Sequence, residues 1–262
     1  MAKITYLSST GFTVETPDVL LVFDDYRDPA HTVVKTLEHN PYLPVIFLVS
    51  DHRRFNNEIF NIGQSHKRQY LLANDCPGVA DSDMPTQYMA PGDQVENLLG
   101  GVSVKAFASN GPGLVYVVTT KDGAVIMHGG SLAPIPVGHV DKEHKKELEA
   151  IADEKKSQRI IENENEHFTT ALNRIKAAVP KIDLAFISVD ERLGKYATVG
   201  IKEAVETLDI ANAVPMDYEG EHSGACEFDQ YGLPADVTTH FHCIHTPGEG
   251  LRLKLDTAET PA

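Results

Sequence analysis

Asp51 and His52 set a carboxylate beside an imidazole at the point where the apolar run Val45-Ile-Phe-Leu-Val49 gives way to polar residues. Side chains of these two types act as acid, base or metal ligand, and together they form the candidate catalytic pair. Arg53 and Arg54 follow directly, so the same turn carries two guanidinium forks suited to a carboxylate or phosphate. Further polar groups stand where other strand-like runs end: Asn110 before Gly111-Pro-Gly113, His128 before Gly129-Gly-Ser131, then Asp190 and Asp217. A zinc or manganese ion needs three or four converging N and O donors, and by type Asp51, His52, His128 and Asp217 qualify. His222, in the loop soon after Asp217, is a supplementary candidate.

These groups need strand ends to hold them. Ser50 closes the strand at Val45, and Asn56 opens an amphipathic helical turn through Ile59 and Phe60. Ahead of it, residues 4–8, 12–16 and 19–24 carry strand signals separated by Ser9-Thr-Gly11 and Pro17-Asp18, the pattern of an antiparallel meander. Asp24-Asp25 at the end of the third reads as a capped, solvated turn rather than a cation-holding pair. A short helix is expected over Pro29–Glu38, and strands over 68–73, 87–90, 95–97, 102–108 and 114–120. Lys121-Asp-Gly123 turns the last of these into 124–128 as a hairpin.

Residues 141–179 form a long charged helical stretch, in which Glu-Asn-Glu-Asn-Glu at 162–166 reads as a solvated face, and Pro180 stops it. A strand at 183–189, a helix at 198–208 and a strand at 211–216 repeat the strand-then-helix unit built around Asp51. The strands at 45–50, 183–189 and 211–217 are therefore expected to aim their C-terminal ends at one place. Residues 237–255 read as a closing hairpin turning at Pro247-Gly-Glu-Gly250. His240 and His242 share a strand face there with His245 nearby, and the three read as ordinary polar residues of an exposed strand rather than as a metal clip.

With 42% hydrophobic and 23% charged residues the chain has the composition of a folded globular protein, and no apolar run approaches the roughly 18–20 residues of a bilayer span. A formal net charge of -15 argues against nucleic acid and anionic membranes, leaving a small molecule as the expected partner, with a homodimer allowed. The N-terminus reads straight into a strand without signal-peptide regions, so a cytoplasmic location is expected. Cys76, Cys226 and Cys243 are far apart, odd in number and without a C-x-x-C pair, and are expected to be free thiols.

The order of landmarks resembles the metallo-β-lactamase-fold hydrolases, in particular the small bacterial branch that includes ascorbate-6-phosphate lactonase-like proteins. Residues 4–24 look like that branch's first strands. Phe107-Ala-Ser-Asn-Gly-Pro-Gly113, Ile126-Met-His-Gly-Gly-Ser-Leu132, 183–194 and Ala213-Val-Pro-Met-Asp217 match its later landmarks in order. The resemblance implies an α/β, four-layer αβ/βα sandwich: two sheets face to face, helices outside, one domain over 1–262 built of two similar halves. It also implies a metal-dependent hydrolase, and here this chain departs from the pattern. The family motif H-x-H-x-D-H is reduced to Ser50-Asp-His-Arg-Arg54, Asn110 and Asp217 stand at histidine positions, and Ser131 replaces the bridging aspartate, so the dinuclear site is degenerate.

Three readings of the pocket follow. It holds one divalent metal, zinc or manganese, on Asp51, His52, Asp217 and His128; it is metal-free and grips an anion with Arg53 or Arg54; or its polar residues pair with one another. The direction in which Arg53 and Arg54 point discriminates among them.

Overall fold

A computed structural model describes residues 1–78, 84–111, 113–134, 154–189, 197–217, 226 and 232–255, with the backbone alone at 154–165. The expected meander is β1 (Ala2–Ser8), β2 (Gly11–Glu15) and β3 (Leu20–Phe23), antiparallel throughout. Helix α1 (Thr32–His39) then crosses to β4 (Val45–Val49), and β5 (Arg68–Ala73) and β6 (Thr86–Met89) extend the sheet in parallel. A second sheet repeats the plan. β7 (Gln94–Val95), β8 (Ser103–Ala108), β9 (Leu114–Thr119) and β10 (Val125–His128) are antiparallel, and β11 (Leu184–Ser188), β12 (Asn212–Met216) and β13 (His240–Phe241) follow in parallel. The long helix α2 (Glu154–Ala178) and α3 (Val199–Thr207) supply the crossovers, and the part of the expected helical stretch at 141–153 lies outside the described residues.

The strands that read as unbroken apolar runs are those buried on both faces. In β9, Leu114, Tyr116 and Val118 point between the sheets, while Val115 and Val117 point outward beneath α2. In β11, Leu184 and Phe186 face inward, and Ala185 and Ile187 pack under Phe168, Leu172 and Ile175 of α2 and Ile201 and Ala204 of α3. On the other side, Val33 and Leu37 of α1 join Ile59 and Phe60 against the first sheet. The layers run helix, sheet, sheet, helix, as expected. Phe186 marks the join, its ring 4.5 Å from Phe12 and 6.1 Å from Phe23, and full burial of such a side chain contributes roughly 1.5–3 kcal/mol.

Three local expectations are corrected. The tail is not a hairpin: β13 runs parallel to β12 in the second sheet, whereas β14 (Gly250–Leu253) pairs antiparallel with β1 in the first. The turn between them is fastened to the first sheet instead, with the Tyr6 amide donating to Glu249 O at 3.0 Å and the Gly248 amide to Tyr6 O at 2.9 Å. Strand periodicity reports that two segments are extended, but not which open sheet edge each completes.

After β4 the expected helix is two 3-10 turns, His52–Arg54 and Asn57–Asn61. The Asp51 and Asn56 side chains accept from the amides of Arg53 and Glu58, and such local bonds compete with continued helix. Helix α1 starts three residues later than Pro29 suggested, because Asp28 Oδ2 caps the Val33 amide at 2.9 Å. Among the described residues no helix is long and apolar enough to cross a membrane.

Candidate functional site

Strand ends from both sheets meet at one edge of the sandwich. Leu114 at the start of β9 donates its amide to Ser50 O at 2.8 Å, and the Asp217 amide, just past β12, donates to Ser9 O at 3.0 Å. Two glycines make this approach possible. A Cβ at Gly113 would lie 2.6 Å from both Asp51 Cβ and Ser50 O, and one at Gly130 would lie 2.4 Å from Leu114 O; both glycines have positive φ. The glycine frame noted in the sequence therefore serves close packing around Ser50 and Asp51.

A buried polar layer lies lowest. Asp24, 1% exposed, accepts from the Ser50 amide at 2.7 Å, Ser50 Oγ at 2.8 Å and Thr10 Oγ1 at 3.0 Å. His128 is fully buried and stacks on Phe23 at 4.9 Å. Its Nε2 donates to Thr10 O at 2.8 Å and its Nδ1 accepts from the Gly130 amide at 3.3 Å, an arrangement that needs the neutral ring in one tautomer. Burial pushes the imidazole below its ordinary pKa, outweighing the attraction of Asp24. Burial likewise pushes the Asp24 carboxyl up, against the pull of His128 and Arg54.

Asp25 is also buried, at 6% exposure, and its pKa is raised to about 7 by burial first and the Asp28 charge second. Its Oδ2 has no hydrogen-bond partner. The expectation of a solvated Asp-Asp turn is thereby overturned, since both residues are buried.

Above this layer both arginines turn inward. Arg53 grips Asp51 side-on, Nη2 to Oδ2 at 2.9 Å and Nε to Oδ1 at 3.3 Å, while the Arg53 amide reaches Oδ1 at 2.7 Å. Ser131 Oγ donates to Asp51 Oδ2 at 2.7 Å and receives Arg53 Nη2 at 3.2 Å. Burial alone would raise the Asp51 pKa, but the bonds from Arg53 and Ser131 and the Arg53 charge outweigh it and hold the carboxylate below its usual range. Arg54 places Nη2 3.0 Å from Asp217 Oδ1 and Nη1 2.9 Å from Ser9 Oγ, which itself donates to Asp217 Oδ1 at 3.1 Å. Burial opposes the Arg54 charge, yet Asp217, Asp24 and Asp51 more than compensate and raise its pKa.

The other candidates are placed apart from this centre. His52 points outward, its side chain 49% exposed and its Nδ1 2.9 Å from Asp75 Oδ2. Asn110 uses both ends of its amide on Ala133, donating to the carbonyl at 2.6 Å and accepting from the amide at 3.2 Å. Asp190 and His222 lie outside the described residues. Among the described residues, Asp51, His52, His128 and Asp217 do not bring ligand atoms together, and the one group of three or more that converges is Cys226, Cys243 and His245.

Nor does the chemistry of the donors fit a metal at the strand ends. Four donors engage the two oxygens of Asp51, about the full set of its lone pairs, and both nitrogens of His128 are engaged by backbone. Sequence reasoning passed over Ser9 and Thr10, whose only signal was a polar pair in the first hairpin turn, and discounted Asp24.

The expectation of three free thiols is corrected as well. Cys226 and Cys243 form a disulfide, and Cys76 is the free, buried thiol among the described residues. Wide sequence spacing carries no information on proximity once a long connection brings the tail back. His242 is engaged at 2.9 Å with Asn212 Oδ1 rather than sharing a clip with His240.

No family model matches this sequence, and no curated protein matches it. Solved structures do. Igni18, a metallo hydrolase from the hyperthermophilic archaeon Ignicoccus hospitalis, superposes with a TM-score of 0.62 at 13% identity, over 97% of this chain and 99% of that one. The metallo-β-lactamase fold protein YhfI from Bacillus subtilis gives 0.54 at 10% identity, over 96% and 100%. CmlA, a diiron β-hydroxylase from Streptomyces venezuelae, gives 0.58 at 9% identity, with 96% of this chain spanning 54% of that one. At these identities the likeness is one of architecture, and it establishes that this chain has the metallo-β-lactamase fold.

Proposed function

We propose that the chain is a metal-independent binding protein on the metallo-β-lactamase scaffold, taking a small molecule through a carboxylate or phosphate group at the Arg53-Arg54 turn. The observation that carries this reading is the inward turn of both guanidiniums onto Asp51 and Asp217, the carboxylates a metal would need. A dication placed there would meet two fixed positive charges at short range, and releasing either aspartate would break a part-buried ion pair. An anionic ligand group would instead share the Arg53 guanidinium with Asp51. Arg53, with its side chain 28% exposed, is the guanidinium within reach of solvent, and Asp51 and Ser131 hold its fork in one orientation.

Metal analysis of the purified protein in its oxidised form, with the Cys226–Cys243 disulfide closed, joined to calorimetric titration with inorganic phosphate and citrate, tests the proposal. Substoichiometric zinc, manganese and iron are expected, together with anion binding that Arg53→Ala weakens at least tenfold. Near-stoichiometric metal displaced only by chelator, with hydrolysis of lactones or phosphodiesters lost on Asp51→Ala, would overturn it in favour of a metal-dependent hydrolase.

A further inference from the structure

Away from the strand-end site, the tail brings together donors of a different kind. Cys243 follows β13, Cys226 lies in the connection beyond Asp217, and the disulfide joins them with Cα atoms 5.5 Å apart. His245 turns its Nδ1 to within 3.5 Å of the Cys243 sulfur. The ligand atoms of Cys226, Cys243 and His245 all lie within 4.8 Å of one another, and the three side chains are half-buried. Two of these ligands are held by a braced segment. Glu249 Oε2 accepts from the amides of His245 and Thr246, each at 3.1 Å, and the same turn is fastened to β1 through Tyr6. Upstream, His242 is engaged with Asn212 of β12.

Two thiolates and an imidazole form a soft-to-borderline donor set, which selects zinc over magnesium or calcium. In a tetrahedral zinc site such atoms stand roughly 3.5–3.8 Å apart, so the observed cluster needs only small side-chain movements once the sulfurs are separate. We propose that the reduced protein binds one zinc ion through Cys226 Sγ, Cys243 Sγ and His245 Nδ1, with the fourth position open to water, and that disulfide formation expels the metal. A dithiol reductant passes two electrons and two protons to the S–S bond, becoming a disulfide itself and leaving two thiols; zinc then displaces the two thiol protons into solvent. Exchange with a small-molecule disulfide reverses the first step and closes the site. Because these residues are separate from the Asp51–Arg54 turn, this site stands or falls independently of the proposed function.

The test uses the full chain reduced with a dithiol, desalted anaerobically and titrated with zinc against a chromophoric chelator. One equivalent per chain is expected for the reduced protein and none for the oxidised. Cobalt in place of zinc should give a thiolate-to-metal charge-transfer band, lost in Cys226→Ser and Cys243→Ser, weakened at least tenfold in affinity by His245→Ala and kept in Cys76→Ser. Should a cysteine variant fail to fold, alkylation of the wild type decides the matter, because bound zinc should protect Cys226 and Cys243 together from modification. Absence of stoichiometric uptake by the reduced protein, an undiminished thiolate band in the cysteine variants, or equal alkylation with and without zinc would each overturn the proposal.

Discussion

The strand-end site and the tail both gather residues of metal-ligand type, and they differ in what engages the donor atoms. At the strand ends, Asp51 and Asp217 are each gripped by an arginine, and His128 is neutral with both ring nitrogens on backbone groups. In the tail, the two sulfurs beside the imidazole are engaged with each other, in a disulfide that a dithiol can open. The contrast teaches that an inventory of Asp, His and Cys is weak evidence for a metal until the partners of each atom are known.

Removing the guanidinium most deeply set among the carboxylates should produce the largest effect. Arg54→Met leaves Asp217 without its ion-pair partner and takes a compensating charge from Asp24, while Asp51 keeps Arg53, so a loss of about 3 kcal/mol is expected in urea denaturation. Pairing it with Asp217→Leu should return most of that loss. A single variant within about 1 kcal/mol of the parent would show that the pairs do not hold the site together.

Asp25 gives a smaller effect with a pH signature. Its carboxyl binds a proton more tightly in the folded chain, so its contribution is fully present below about 3.8 and is lost as pH rises through about 7. Asp25→Asn should therefore stabilise the protein on the order of 2 kcal/mol at pH 8, with the gain fading toward pH 4. Equal melting temperatures for variant and parent at pH 8 would remove the distinction between this unpartnered carboxyl and the paired Asp51.

The smallest effect belongs to His52. Its ring is half-exposed and pairs only with Asp75, so His52→Ala should cost no more than about 0.5 kcal/mol and leave anion titration unchanged. A loss of binding tenfold or greater would return His52 to the site and weaken the contrast drawn above.

Much of this architecture was legible in the residues. The continuous apolar runs at Val45–Val49 and Leu184–Ser188 announced strands buried on both faces, and Pro180 and the Lys121-Asp-Gly123 turn marked where elements stop. Arg53 and Arg54 were recognisable as the discriminating pair because two fixed cations beside ligand-type residues are an electrostatic conflict on any backbone. The tail was misread, since β13 and β14 are short and each completes an edge supplied by a strand remote in sequence, β12 in one case and β1 in the other. Asp24 was misread for a related reason: it is buried where His128 of the second sheet meets Thr10 and Ser50 of the first, which no local pattern encodes.

What the sequence determined by itself is therefore where most strands begin and end along the chain, the glycines that let Ser50 approach Leu114, and the charges available at the turn after β4. Alternation, turn chemistry and side-chain charge are properties of neighbours along the chain, and they survive without knowledge of the fold. Tertiary structure decided the rest: that both guanidiniums fold inward onto Asp51 and Asp217, that His52 points away, and that Cys226 meets Cys243 and His245. Those outcomes depend on which distant groups share a few cubic ångströms of space, and hydrogen-bond and ion-pair energies are set by that proximity, not by residue type.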